Sequence, residues 1–440
     1  MRKQIVGMIQ LYVLGLFLAF ALIVGVFALP TQNMQQNMKE SAHTLLDEGV
    51  YPTFLDDILV RMRPGNVLDL KTLLFNNRIT ARDNFTDALM LAQASYDGTE
   101  PLLERAMAVY RWSTEDENPF GLLQAIINEN DTQLVRKQYD RYWHGYLVVL
   151  KPMLLVFNLS QIRVINLIVL TLLLGYCIFL MHRKISKKYC GWFLYALLFF
   201  MPFTIPFCMQ YCTATYVLLI ALIILFKHYE WLQQESQLAY FFMIVGMTVA
   251  YVDYLTFPLV TFGIPVIFVL LLDPKKRTFK VDLLRVFRYG IDWSIGYVGL
   301  WASKWILASL IMHQNLIKES LQQVAFRASS TSEMGDFRIT FFQAIGSNVC
   351  NYVNLVYIIV ILVGLILVCR KIRPKQYSLP EVLKQYGIYL LIAMTPFVWY
   401  GVFKNHSYGH GSFTFRCLFI TVFAGMVFLE KWKEQCRSRD

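Results

Sequence analysis

The sequence predicts an all-α protein, a polytopic bundle of transmembrane helices with a large helical first loop outside the membrane. Of its 440 residues, 56% are hydrophobic and only 16% are charged, whereas soluble domains carry about 25% charged residues. The apolar residues form long blocks, and a helix needs about 20 of them to cross the hydrocarbon core of a bilayer. The blocks also lack the alternation of barrel strands, so helices are the spanning element that they favour.

Ten apolar blocks are predicted to span the membrane. The first, at 5–29, follows Arg2 and Lys3. Its apolar core exceeds the about 7–15 residues of a cleaved signal peptide, so we interpret it as a retained anchor. The others lie at 163–181, 191–207, 213–226, 238–254, 257–272, 291–312, 353–369, 386–403 and 413–429. The region 191–226 is also compatible with a broken re-entrant pair.

The distribution of Lys and Arg predicts that both termini lie in the cytoplasm. In that topology the cytoplasmic segments hold 22 of the 41 Lys and Arg residues, and the short outer loops hold four, in line with the positive-inside rule. The net charge of +11 then follows from topology, and no nucleic-acid partner is predicted. The predicted parts are a first span at 1–29, an extracytoplasmic loop domain at 30–160, a multi-span domain at 161–429 with an outer loop at 313–352, and a cytoplasmic tail at 430–440.

The loop domain has a helical pattern. Apolar residues recur at i, i+3 and i+4 in 86–94 and 101–110, which predicts two helices, and no alternating stretch predicts a strand. Residues 146–157 are nearly all apolar, long enough to lie on the membrane and too short to cross it. In the second outer loop, 328–335 is predicted to be a linker or a lid.

Two charged residues fall within predicted spans, where a charge is costly. Asp253 lies near the outer end of the fifth span, and Lys304 lies in the outer half of the seventh. Because their depths are similar, the two are predicted to pair across the bundle. The pair is either a purely structural one, or Lys304 meets an anionic lipid head group while Asp253 orients a substrate hydroxyl.

The last outer loop gathers four basic side chains beside the membrane, Lys404, His406, His410 and Arg416. Arg offers a fork of donors and His a further donor, which suits a phosphate, and a solvated polar loop is the plain alternative. Zinc is disfavoured because no Cys, Asp or Glu lies nearby to complete a site. No cofactor is therefore predicted, and a role for a divalent cation stays open.

Acidic candidates lie in the loop domain. Asp83 and Asp87 are four residues apart, so they share one helical face. They serve either as caps at the start of a helix or as the general base of a reaction. Asp47-Glu48 and Asp56-Asp57 are rivals for the same role, and spacing does not choose among them.

Arg141 and His144 belong to the sequence Arg-Tyr-Trp-His-Gly, just before the apolar segment at 146–157. Aromatic residues at this depth are ordinary membrane anchors. The alternative is a binding site in which a sugar ring stacks on an aromatic face and Arg141 holds a phosphate.

The order of the parts resembles the GT-C superfamily of membrane glycosyltransferases, with a first span, a large helical outer loop with acidic residues, and many further spans. The resemblance implies an enzyme that takes a sugar from a polyprenyl-phosphate carrier at the outer face. It also implies that Asp87 or Asp83 activates the acceptor, although the acidic pair nearest the first span is Asp47-Glu48. The residues implied to hold the substrate are Arg141, His144, Asp253, Lys304, Lys404, His406, His410 and Arg416.

The chain is also similar to a family of multi-pass bacterial membrane proteins, mainly from Gram-positive species. The shared phrases lie at 83–91, 141–145, 151–155, 251–258 and 404–408, so this likeness covers nearly the whole chain. It implies that the protein resides in the cytoplasmic membrane of a bacterium, and it implies no particular activity.

The predicted function is transfer of a sugar from a polyprenyl-phosphate donor to a glycan acceptor, of the surface-polysaccharide or teichoic-acid type. No Walker sequence, glycine-rich dinucleotide motif or hydrolase signature occurs, so neither a nucleotide site nor a hydrolase is predicted. A transporter or flippase for lipid-linked saccharides is the main alternative. It would predict repeat symmetry and polar residues near the midplane, and the sequence has neither. A non-catalytic protein of envelope assembly is the third hypothesis.

Overall fold

The computed structural model describes residues 2–53, 77–129, 134–234, 236–275, 277–333, 335–369 and 379–437. These residues are mostly helical, as predicted. The first helix is α1 (Arg2–Phe27), which is long and apolar enough to cross a membrane. A compact group of shorter helices follows in the loop domain, and a bundle of longer helices follows that group.

The loop domain consists of six helices and one small sheet in its described part. Its elements are α2 (Gln32–Glu48), α3 (Asn77–Thr80), α4 (Asn84–Ala94), α5 (Leu102–Ala108), β1 (Arg111–Ser113), α6 (Pro119–Ile127), β2 (Val135–Lys137) and α7 (Leu147–Leu154). The two predicted helices are confirmed as α4 and α5. No strand was predicted from an alternating pattern, yet β1 and β2 pair antiparallel with Trp112 opposite Arg136. Strands of three residues are too short to show an alternating pattern.

The helices after the loop domain are mainly long and apolar. They are α8 (Leu159–Lys184), α9 (Lys187–Leu197), α10 (Met209–Leu232), α11 (Gln237–Val252), α12 (Val260–Leu272), α13 (Phe279–Met312), α14 (Leu316–Ala328), α15 (Phe341–Val349), α16 (Leu355–Cys369), α17 (Leu379–Val402), α18 (Lys404–Gly409), α19 (Gly411–Thr414) and α20 (Leu418–Arg437). Short 3-10 turns extend α9, α15 and α19, and another precedes α10.

Seven helices in the described residues are long and apolar enough to cross a membrane, and a bent pair makes an eighth. The bend of 88° lies between Phe341–Tyr352 and Leu355–Val368. In the region 191–226, Lys187–Phe207 and Met209–Leu232 are both candidate spans. A turn at 201–204 interrupts the first of them, so the re-entrant pair stays an alternative. Because α11 and α12 are shorter than a full span, the count of ten crossings stays a prediction, as does the orientation.

The closest helix packing is between α11 and α13, where two glycines face the opposite backbone. A Cβ built on Gly246 would lie 2.1 Å from the carbonyl oxygen of Trp293, and one on Gly296 would lie 2.1 Å from that of Met243. Small residues let helix backbones approach in this way. The contact fixes the end of α11, which leads into Asp253, relative to the aromatic face of α13.

We predict that Gly296→Ala destabilises the protein, because the new methyl group forces the two backbones apart. Overpacking of this kind costs about 1–3 kcal/mol, which should lower the thermal unfolding midpoint measured in detergent. Gly175→Ala is the matched control, since nothing lies within 4 Å of a Cβ built there. Equal midpoints for the two variants would contradict the close packing of α11 and α13.

Candidate functional site

An aromatic cleft lies where the loop domain meets α13 and α14. The space between its walls is about 490 Å³, its open mouth included. Its lining includes Tyr139, Tyr142, Trp301 and Trp305, together with Arg141 and Arg327. No carboxylate of the described residues lines it. The cleft therefore combines flat apolar faces with positive charge.

The two arginines of the cleft are held differently. The Arg141 guanidinium lies over the ring of Tyr139, 5.4 Å from the ring centroid, and forms no ion pair with any described residue. Arg327 donates through Nη1 to Glu333 at 2.8 Å, to Nε2 of His410 at 3.2 Å and to Asn405 at 3.4 Å. Arg141 thus has no counter-ion among the described residues, whereas Arg327 is held in place by three hydrogen-bond partners.

The predicted basic loop frames this cleft from one side. Lys404 donates to the Ser330 hydroxyl at 2.7 Å. His406 donates from Nε2 to the carbonyl oxygen of Leu255 at 2.8 Å, and Leu255 lines the cleft. Burial lowers the pKa of His406 well below its usual value and that of His410 to about 4. Both rings are therefore neutral near pH 7, and these residues position the cleft wall.

An apolar groove runs down the bundle between α7, α8, α10 and α11, with Met90 of α4 at its upper end. Its volume, open side included, is about 1400 Å³. Along α10 it extends from Met209 to Ile224, a rise of about 22 Å at 1.5 Å per residue. Lining residues such as Ile220 and Ile244 are 46% and 43% exposed, so the groove opens sideways towards lipid.

A wall of hydrogen-bonded polar side chains separates the groove from the cleft. The hydroxyl of Tyr146, a groove-lining residue, bonds to Tyr254 and to Gln93. His144 donates from Nε2 to the carbonyl oxygen of Tyr139 at 2.5 Å, so its Nδ1 carries no proton and lies 3.3 Å from each of the hydroxyls of Tyr146 and Tyr254. Burial lowers the pKa of His144 well below its ordinary value. His144 therefore holds the wall and does not line the cleft.

The predicted pair of Asp253 and Lys304 is wrong. Asp253 accepts from the Thr213 hydroxyl at 3.1 Å and from the backbone N–H of Thr256 at 2.8 Å. Lys304 donates instead to the carbonyl oxygen of Met107 at 2.7 Å, at the end of α5. The last carbonyl groups of a helix lack partners within the helix and carry partial negative charge, so they attract the lysine.

Arg416 is a fully buried charge without a carboxylate partner among the described residues. Its Nη2 donates to Thr204 at 2.9 Å, and its guanidinium lies 4.0 Å from the ring centroid of Tyr211 and 4.6 Å from that of Phe415. Its Nε is buried with no hydrogen bond. A buried cation in this state is poorly compensated, which favours an anion as its missing partner.

Asp83 and Asp87 begin α4 as the sequence predicted, but they have different surroundings. Asp83 caps the helix by accepting from the backbone N–H and the hydroxyl of Thr86, at 2.9 and 2.8 Å. Asp87 is fully buried, where it accepts from the N–H of Met209 at 2.9 Å and contacts Arg163 at 3.4 Å.

Arg163 joins the loop domain to α8 through several acceptors. Its Nη1 donates to both carboxylate oxygens of Glu48, at 3.0 and 2.9 Å, and its Nη2 donates to Asn84 at 2.8 Å. We call Glu48, Asn84, Asp87 and Arg163 the Arg163 network. Among the rival bases, Glu48 is thus an ion-pair partner, and Asp56-Asp57 lies outside the described residues.

Two residues near the cleft, Arg327 and Asp140, were not indicated by the sequence. Arg327 was counted only as a loop charge, and nothing in its local sequence predicts the contact with His410. Asp140 is buried beside Arg141, and burial raises its pKa while nearby Lys304 opposes the shift. Trp301 and Trp305 are four residues apart on α13, a spacing that puts both on one helical face and could have indicated the aromatic side of the cleft.

We predict a specific pH dependence of stability for Asp87→Asn. Burial is the largest cause that raises the pKa of Asp87 to about 7, and Arg163 opposes it. The folded chain then holds this proton more tightly than the unfolded chain between pH about 4 and about 7. Over that range the wild type should lose stability relative to Asp87→Asn as pH rises, by as much as about 4 kcal/mol.

Thermal unfolding midpoints of the two proteins in detergent, measured at steps of pH, test this expectation. Asp47→Asn is the control, because Asp47 is exposed on α2 and should follow the wild type at every pH. Parallel curves for the wild type and Asp87→Asn would contradict a buried, proton-binding Asp87.

Comparisons with protein families, with curated proteins and with solved structures find no match. The function is therefore inferred from the geometry of the groove, the cleft and the charges around them.

Proposed function

We propose that the protein is a membrane glycosyltransferase of the GT-C type, which transfers a sugar from a polyprenyl-phosphate donor to a cell-surface glycan acceptor. The observation that carries the proposal is the position of Asp253, which accepts from groove-lining Thr213 and lies within electrostatic reach of Tyr142 in the cleft and of Cys417, the neighbour of Arg416. An enzyme for a lipid-linked donor needs these three compartments side by side: an apolar channel, a sugar-binding surface and a cation for the phosphate.

The groove supplies the channel for the lipid chain. Of its 21 lining residues nearly all are apolar, and several face lipid directly. A polyprenyl chain could enter from the bilayer without crossing a polar layer, because burying apolar surface needs no hydrogen-bond partners. In this proposal the head of the carrier lies at the upper end of the groove, near Met90 and Tyr146, beside the loop domain.

The cleft supplies the surface for the saccharide. Tyr142 and Trp301 meet edge to face with ring centroids 5.5 Å apart, and Trp301 carries a buried indole N–H with no partner. A sugar ring presents apolar C–H faces and polar edges, which suits aromatic walls with a few hydrogen-bonding groups.

Asp253 connects the compartments. Thr213, which lines the groove, donates to its carboxylate. Tyr142 of the cleft and Cys417, next to Arg416, both lie within electrostatic reach of it. Asp253 thus contacts the groove lining and lies near the cleft and the segment of Arg416, and we propose it as the general base in preference to Asp87, whose carboxylate is fixed in the Arg163 network.

The proposed step is a direct displacement at the anomeric carbon. The acceptor oxygen forms a bond to that carbon while its proton passes to the carboxylate, and the carbon–oxygen bond to the phosphate breaks with its electron pair. The leaving phosphate gains negative charge, so a cation already in place stabilises the transition state more than the ground state. We assign that role to Arg416, which has no carboxylate partner in the described chain.

We predict that a bulky side chain in the groove weakens binding of the lipid carrier. Thr248 lines the groove from α11 and is exposed, so Thr248→Trp should fill the channel and weaken binding of polyprenyl phosphate at least about tenfold, which is about 1.4 kcal/mol. Leu172→Trp is the control, because Leu172 is 67% exposed on α8 and does not line the groove. Binding is measured in nanodiscs. Equal affinities would show that the groove does not hold the carrier.

The second prediction separates the two candidate bases. Asp253→Asn should reduce transfer from polyprenyl-phosphate sugars by about 100-fold or more while donor binding is retained, since general-base catalysis contributes about 10²–10⁴-fold. Asp87→Asn should retain most of the transfer. The reverse pattern would return the role to Asp87. Absence of transfer by the wild type from any donor that it binds would favour a transporter of lipid-linked saccharides.

A further inference from the structure

The cleft offers hydrogen-bond donors and positive charge with no carboxylate opposite them. Arg141 has a guanidinium without an ion-pair partner among the described residues, and Arg327 uses only Nη1 in its three contacts. The buried Trp301 Nε1 and Ser320 Oγ have no hydrogen-bond partner. All four residues line the same cleft.

The unpaired donors and the positive charge make the cleft selective for anionic ligands. Buried donors that find no acceptor are costly, whereas an oxyanion satisfies several of them at once. The neighbouring acids leave Arg141 without an ion pair: Glu333 pairs with Arg327 from outside the cleft lining, and neither Asp140 nor Glu319, which lies within electrostatic reach of Asp140, lines the cleft. A neutral sugar would fill the aromatic part of the cleft and leave the guanidinium of Arg141 without a counter-ion.

We propose that the saccharide bound in the cleft is acidic, with a carboxylate or phosphate group on the sugar held by Arg141 and Arg327. The inference rests on the proposed function for its claim that the ligand is a saccharide. The anion is distinct from the phosphate of the lipid carrier, because the wall of Tyr146, Tyr254 and His144 separates the cleft from the groove. The aromatic rings hold the sugar face, and the two arginines hold its charged substituent.

The test measures equilibrium binding of soluble sugars to the full-length protein in nanodiscs. The matched ligands are methyl glucuronide, glucose 6-phosphate and methyl glucoside, with inorganic phosphate as a free anion. We expect the wild type to bind at least one acidic sugar about 10- to 100-fold more tightly than methyl glucoside, the range for hydrogen bonds to a charged group. Fluorescence of Trp301 and Trp305 in the cleft gives a local signal, which Trp301→Phe should reduce.

Arg141→Gln should remove that preference, because the guanidinium of Arg141 lies over the Tyr139 ring and its loss breaks no described ion pair. Arg338→Gln removes the same charge from an exposed residue outside the cleft lining and should keep the preference. Arg141→Lys should restore part of it, since a lysine keeps the charge and loses the planar fork.

Three results would overturn the inference: equal affinities for acidic and neutral sugars, a preference that survives in Arg141→Gln, or binding of inorganic phosphate as tight as that of glucose 6-phosphate. The outcome is independent of catalysis. Transfer activity without a preference for acidic sugars would reject this inference alone. A preference for acidic sugars without transfer from any donor would reject the proposed enzyme and keep the binding site.

Discussion

The Arg163 network determines how the loop domain sits on the membrane helices. Arg163 is almost fully buried on α8, and its partners Glu48 and Asp87 come from α2 and α4. Removing one partner from a buried ion pair leaves an uncompensated charge, which costs more than the pair itself contributes. Asp87 also accepts from the first residue of α10, Met209. One charge cluster therefore fixes the loop domain against two membrane helices.

The groove and the cleft both depend on that fixed orientation. Met90 of α4 closes the upper end of the groove, and the chain after β2 supplies the tyrosines and Arg141 of the cleft. The turn after α11 lies between the two compartments, with Val252 in the groove lining and Leu255 in the cleft lining. Within these four residues the chain passes from the apolar surface of the groove, which faces lipid, to the surface of the cleft, which is rich in hydrogen-bond donors. That change of environment is what a lipid-linked substrate with a polar head requires.

Much of the fold could be predicted from sequence. The apolar blocks coincide with helices, and the helical segments of the loop domain coincide with α4 and α5. The cap at Asp83 follows from residue type at a helix start. For the candidate site, the basic loop around His406 and His410 and the aromatic sequence after Asp140 were both identified, and the structure brings them together around one cleft. Their roles differed from expectation, because burial makes the two histidines neutral.

The sequence by itself determined most of the helices and their apolar character, because periodicity and apolar length are local properties. Only the tertiary structure decided which charges meet. Asp253 and Lys304 were predicted to share a depth but contact different elements, and Arg163 contacts Glu48 at a separation of 115 residues. Pairing depends on the direction in which each helix faces its neighbours. That direction is set by packing such as the glycine contact of α11 and α13, and no local pattern encodes it.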